Sequence, residues 1–168
     1  MRSAVRVRPE LLRVHVLTRE QILGHPVDEV FPFFSDARNL EAITPPLLRF
    51  RVVTPGDVAL APGALIQYRL RLHGLGIDWL TRIAEWDPGV RFVDEQIAGP
   101  YRLWHHTHEF EPAGAGATRM RDTVRYALPG WPLGELAAPL VRRDLARIFD
   151  FRRDACAARF GSGDSTLH

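Results

Sequence analysis

From Ala64 to Tyr126 the chain alternates apolar and polar positions in short runs separated by turn residues. Ala64–His73 is the cleanest run. Ile66, Tyr68, Leu70 and Leu72 fall on one face and Gln67, Arg69, Arg71 and His73 on the other, the period of a half-buried antiparallel strand. Gly74-Leu75-Gly76 reads as a tight connection to a strand over Ile77–Trp86, with Trp79, Thr81 and Ile83 on one face. The turns Asp87-Pro88-Gly89 and Ala98-Gly99-Pro100 bracket a strand at Arg91–Ile97. Tyr101–Glu111 and Arg119–Tyr126 follow, the second setting Met120, Asp122, Val124 and Tyr126 against Arg119, Arg121, Thr123 and Arg125.

Upstream, Val14–Ile22 predicts a first strand, and Val27–Phe34 a short helix with Asp28 and Glu29 at its positive end. Pro32 fits that helix only within its first turn. Ser35-Asp36 predicts the cap of a second short helix reaching Ile43, and Leu48–Thr54 a further strand. After Leu128-Pro129-Gly130 the period turns helical. Leu133, Leu136, Leu140, Leu145, Ile148, Phe149 and Cys156 fall on or near one stripe, with Pro139 kinking the helix or ending a short preceding segment. Gly161-Ser162-Gly163-Asp164 predicts a frayed end. The order is strand, two short helices, about six strands and one long helix, which argues an α+β fold with an antiparallel sheet. The long helix is the one element able to cover the sheet's apolar face, and a concave space of that kind favours a ligand pocket.

Composition narrows the class. The 168 residues are 46% hydrophobic and 25% charged, enough for one domain with a real core. That domain is expected over residues 13–160, with an N-terminal arm at 1–12 and a flexible tail at 161–168. No apolar run reaches transmembrane length, and the Arg-rich start has no signal-peptide stretch, so a cytoplasmic protein is expected. All 22 basic residues are arginine, against 20 acidic ones, and a net charge of +2 is no nucleic-acid footprint. Alternation places Arg69, Arg71, Arg82, Arg119, Arg121 and Arg125 on the outer face. They read either as a solvated surface or as a docking face for an acidic partner or a peripheral contact with an anionic membrane. No phosphate-binding glycine loop opens a helix, and no cofactor is expected. The single cysteine, Cys156, reads as a structural thiol, and the pattern specifies no oligomeric state.

Candidate chemistry sits on the late strands. Trp104, His106, His108 and Phe110 share the face expected to point inward, and Asp122 shares a face with Met120 and Val124. Asp94 and Gln96 share a face with Phe92, although the Val93/Ile97 face is almost as good an inner one. If these strands are neighbours, Asp94, Gln96, His106, His108 and Asp122 form an inward polar cluster. Buried carboxylates need partners, and histidines supply them. The cluster reads as a structural network, as polar recognition at the end of an apolar cavity, or as general acid–base machinery built on His106, His108 and Asp122. Pairing would raise the pKa of both histidines. His106-x-His108 has ligand-like spacing, but no further ligand motif accompanies it and no metal site is expected. His105 faces outward and should be solvated. Tyr68, Trp79, Trp104 and Tyr126 would line the cavity.

Four stretches resemble the START-like superfamily of helix-grip proteins (SRPBCC, or Bet v 1-like), in its bacterial cyclase/dehydrase-like branch. They are Val27–Asp36 with Asn39-Leu40 and Ile43–Pro46; His73-Gly74 with Trp79 and Ile83; Phe92–Gln96 with Gly99-Pro100-Tyr101 and Trp104–His108; and Met120-Arg121-Asp122 with Tyr126–Pro129. The resemblance implies a seven-stranded antiparallel sheet wrapped around a long C-terminal helix, with two short helices between strands 1 and 2. It implies a small hydrophobic ligand (lipid, quinone or polyketide-like) in the cavity. The alternatives are a polyketide cyclase or dehydratase and a protein-interaction module, since a fold of this kind does not fix its chemistry.

Overall fold

The computed structural model describes residues 12–56 and 60–163. The expected N-terminal arm up to residue 11 and residues 164–168 of the expected tail lie outside the described residues. The strands are β1 (His15–Leu23), β2 (Arg51–Val52), β3 (Leu65–Leu72), β4 (Leu75–Asp87), β5 (Arg91–Ala98), β6 (Leu103–Pro112) and β7 (Thr118–Ala127). They form one antiparallel sheet in the order β1-β7-β6-β5-β4-β3-β2. Helix α1 (Val27–Phe34) and a short 3-10 turn at Ala37–Glu41 follow β1, and the 23-residue helix α2 (Ala138–Phe160) closes the fold. This is the expected helix-grip architecture.

Alternation fails where turn chemistry competes with it. The β3–β4 connection is only His73-Gly74, both at positive φ (51° and 82°), as a two-residue hairpin with strand-matched twist requires. Leu75 and Gly76, expected in that turn, therefore belong to β4. The strand expected at Leu48–Thr54 shrinks to two residues, because Leu48 ends a 3-10 turn and Arg49 is left-handed. The second short helix is a 3-10 turn, capped as expected by the Asp36 side chain accepting from the Arg38 N–H. Pro32 lies beyond the first turn of α1, on its exposed side, where water can serve the carbonyl that loses its donor.

The C-terminal stripe also needs correction. Leu133–Ala137 is a separate 3-10 segment, and Pro139 stands in the first turn of α2. The change of pitch turns Leu133 (76% exposed), Leu136 (82%) and Leu140 outward. The buried face of α2 is instead Leu145, Phe149, Cys156 and Phe160. The expected fraying is absent at Gly161–Gly163: Gly24 N–H donates to Gly161 O and Gly163 N–H to Ile22 O, both at 3.1 Å.

Buried side chains gather in three clusters. Phe31, Phe33, Phe34, Phe92, Phe110, Met120 and Phe160 make a dense aromatic one at the α1 end. Trp104, Val124, Tyr126, Leu145 and Phe149 make the second, under the N-terminal half of α2. Ala37, Ile66, Tyr68 and Ile83 make the third, on β3 and β4. Register shifts between Leu80/Thr81 and Ile83/Glu85 mark irregularities that bend β4 against β5. Half-buried Leu40 and Trp86 join the first cluster to the third and Trp79 joins the second to the third, and a cavity lined by members of all three lies among them. On the outer face, Arg69 pairs with Asp78 (2.9 Å), Arg82 with Glu95 (2.9 Å), and Arg119 and Arg121 with Glu20 (3.4 and 2.8 Å). The expected arginine surface is thus interleaved with acids, in exposed pairs each worth little. No helix among the described residues is long and apolar enough to cross a membrane.

Candidate functional site

Strand alternation on β6 aims Trp104, His106, His108 and Phe110 inward, as expected. Register then sets Asp94 of β5 opposite His106, and Asp122 of β7 opposite His108. The shortest contacts run diagonally. His106 Nε2 lies 2.8 Å from Asp122 Oδ1, and His108 Nε2 lies 2.8 Å from Asp94 Oδ2. The opposite pairs are looser: His106 Nδ1 is 3.4 Å from Asp94, and His108 Nδ1, 3.0 Å from Asp122, is off the hydrogen-bond axis. Each imidazole thus bridges two carboxylates, and the two rings lie with centroids 3.7 Å apart. Only Asp94 keeps an appreciable opening, its side chain 18% exposed.

The ionisation of the four groups follows from this crossing. Burial alone would raise Asp122, but the hydrogen bond from His106 and the close contact and positive charge of both histidines outweigh it and hold the carboxyl far below the ordinary range. Asp94 is lowered against burial too, by the charge of His106 and the hydrogen bond and charge of His108. The histidines diverge. Burial pushes His106 down, the neighbouring His108 charge adds to this, and the two carboxylates do not compensate. Burial also opposes a charge on His108, but its close contacts with the Asp122 and Asp94 carboxylates prevail and raise it. The expectation that both would rise therefore fails for His106, because burial disfavours its charge and the neighbouring His108 charge adds to this. The proton is held more firmly on His108 than on His106.

The pH dependence follows with its sign. His108 stabilises the fold fully below the ordinary value of 6.5, and this contribution is lost as pH rises through its raised folded pKa. His106 acts oppositely: its contribution is present above 6.5 and lost as pH falls through its lowered folded pKa. The aspartates add a further loss below their ordinary value of 3.8. An NMR titration should find the two imidazoles on opposite sides of 6.5. Two unshifted titrations would exclude this charge distribution.

Asp94, His106 and His108 also form one wall of the cavity between the three clusters, whose free volume is about 160 Å³. The rest of the wall is mostly apolar and aromatic, with Ile66, Tyr68, Ile83, Phe92, Trp104 and Phe149 prominent, and Trp79 also lines it. Three expected site residues stand elsewhere. Gln96 is spent on the turn before β6, donating from Nε2 to Tyr101 O (2.7 Å) and accepting from its N–H (3.2 Å). Asp122 lies behind the histidines, and Tyr126 borders a separate cleft with His15 and Arg142. His105 is half-buried rather than solvated, with Nδ1 enclosed and unpaired. Asp94, His106 and His108 bring ligand-type atoms within 4.8 Å of one another. A cation there would have to displace a proton and break the His108–Asp94 bond.

Sequence reasoning passed over Arg152, which reaches the cavity from α2. Its spacing of three residues from Phe149 and seven from Leu145 puts it on the buried helical face, and that signal was available. It also passed over two long-range pairs that carry no sequence signal, His73 with Asp144 (2.7 Å) and His15 with Glu135 (2.9 Å).

A family model for polyketide cyclase/dehydrase and lipid transport matches residues 14–161. The chain belongs to that family. Among solved structures, the Zhui aromatase/cyclase from Streptomyces sp. R1128 aligns with a TM-score of 0.71 at 14% identity, over 88% of this chain and 93% of its own. A norcoclaurine synthase from Thalictrum flavum, in complex with dopamine and hydroxybenzaldehyde, aligns at 0.63 with 13% identity, over 92% of both chains. A Chromobacterium violaceum protein aligns at 0.67 with 14% identity, over 88% of this chain and 98% of that one. At such identities these likenesses carry the fold, and no curated protein sequence matches this member of the family.

Proposed function

We propose that this chain binds a compact hydrophobic molecule in the cavity between the sheet and α2. The observation that carries the reading is the wall itself: apolar and aromatic over most of its extent, with Asp94, His106 and His108 converging on one side. A dry cavity of about 150 Å³ takes a benzene-sized ring. A cavity of about 160 Å³ therefore suits one or two fused rings or a short chain, and a longer lipid or polyketide needs side chains to move.

The divergent histidines favour a second reading, a cyclase or dehydratase. Two adjacent imidazoles whose pKa values are pushed in opposite directions are the usual makings of a base and an acid. One experiment addresses both. Native mass spectrometry of the purified protein, followed by denaturing extraction, should find a copurified compound. Ile77→Trp, which fills the cavity from β4, should remove that mass while the protein stays folded. Conversion of an added poly-carbonyl compound, lost in His106→Ala, would favour the enzyme. An empty protein with no thermal stabilisation across a hydrophobic panel would remove the binding reading.

A further inference from the structure

We infer that the cavity takes an acid, and that Arg152 holds its carboxylate. The inference deepens the binding reading and rests on it. Arg152 lines the cavity from α2, its guanidinium carbon 4.9 Å from the centre of the Phe149 ring. Its Nε is enclosed and donates to nothing. Among the described residues no carboxylate lies within ion-pair distance of it, whereas the adjacent Arg153 reaches both Asp150 (3.8 Å) and Asp154 (2.9 Å). Asp94, close enough for the two charges to influence each other, is engaged by His106 and His108.

A second donor shares the space. Tyr68 of β3 lines the same cavity. Burial keeps that phenol protonated, and Arg152 is near enough to influence it. The guanidinium carries an enclosed N–H without an acceptor, which is costly, and the phenol is a second donor in the same cavity. The ligand end that satisfies both offers acceptors only and one negative charge, which is a carboxylate. With His108 engaged by Asp94 and Asp122, Arg152 is the cation left for a ligand, and a phosphate dianion would be under-neutralised. The volume limits the remainder to a compact ring system, so the ligand class is a small aromatic or short-chain acid.

The probes are 2-naphthoate and its neutral isostere 2-naphthamide, titrated calorimetrically into the whole protein near neutral pH. The acid should bind about tenfold or more tightly than the amide, as a charge-assisted hydrogen bond implies. Arg152→Gln should erase the preference, bringing the acid down to the affinity of the amide or below, while Arg152→Lys keeps part of it. Tyr68→Phe should weaken the acid more than the amide. Equal affinities in the unaltered protein overturn the assignment and leave the binding reading standing. A preference that survives Arg152→Gln also overturns it and makes Arg152 only a counter-charge for the carboxylates. If neither compound binds the unaltered protein, the binding reading falls and the inference with it. Should Arg152→Gln fail to fold, the acid-to-amide ratio of the unaltered protein and of Tyr68→Phe still decides.

Discussion

Replacing Asp122 by alanine is expected to cost about 3–5 kcal/mol of folding stability, the usual effect of removing one partner from a buried ionic contact. The change leaves His108 with Asp94 alone and takes from His106 its shortest hydrogen bond. His108 then loses one of the two carboxylates that sustain its charge, so its pKa should fall toward or below the ordinary value. The stability it supplied would vanish at a lower pH than in the unaltered protein. Urea titrations at several pH values would measure both effects. A loss below about 1 kcal/mol, the range of exposed pairs, would mean that water already serves these groups. Asp122→Asn separates charge from shape: it keeps the volume and one acceptor, and should recover only part of the loss.

Phe110→Ala is expected to cost a similar amount, about 3–5 kcal/mol, for a different reason. Phe110 lies against Phe31 (5.2 Å between centroids), Phe34 (5.3 Å) and Phe92 (6.1 Å). Truncation removes a large buried apolar surface and leaves a hole that α1, β5 and β6 cannot close. Phe110 does not line the ligand cavity. The midpoint of denaturation should therefore drop with little change in ligand affinity for the molecules that remain folded. Denaturation and ligand titration on the same preparation would test that separation. Equal losses in both would mean that the aromatic cluster and the cavity wall act as one unit.

The parts of this molecule that alternation dictates were legible in its residues. Trp104, His106, His108 and Phe110 had to share a face, as did Met120, Asp122, Val124 and Tyr126, and both sets are buried. That His106 and His108 meet two carboxylates follows once β5, β6 and β7 are neighbours. The crossed geometry does not follow, because it depends on side-chain reach rather than on register. Strand β5 was ambiguous for a physical reason: Phe92 and Val93 are both buried, beside the register shift in β4 that disturbs alternation. The leucines at 133, 136 and 140 misled because a 3-10 segment and an α-helix present the same spacing to different faces. Gln96 was misplaced because its turn, closed by its own side chain, cannot be seen in a polar-apolar pattern.

The uneven distribution of contacts has a dynamic consequence. The α1 end is packed ring against ring, whereas the β3–β4 hairpin borders empty volume on its inner side and has only the two-residue β2 beyond β3. Its tip is tied to α2 by His73 and Asp144. Local opening starts where few buried contacts must be given up. The amides of β3 should therefore exchange with solvent faster than those of β6 and β7, at free energies below that of global unfolding. A guest molecule would then come and go through transient detachment of this hairpin, with the aromatic end of the fold held still.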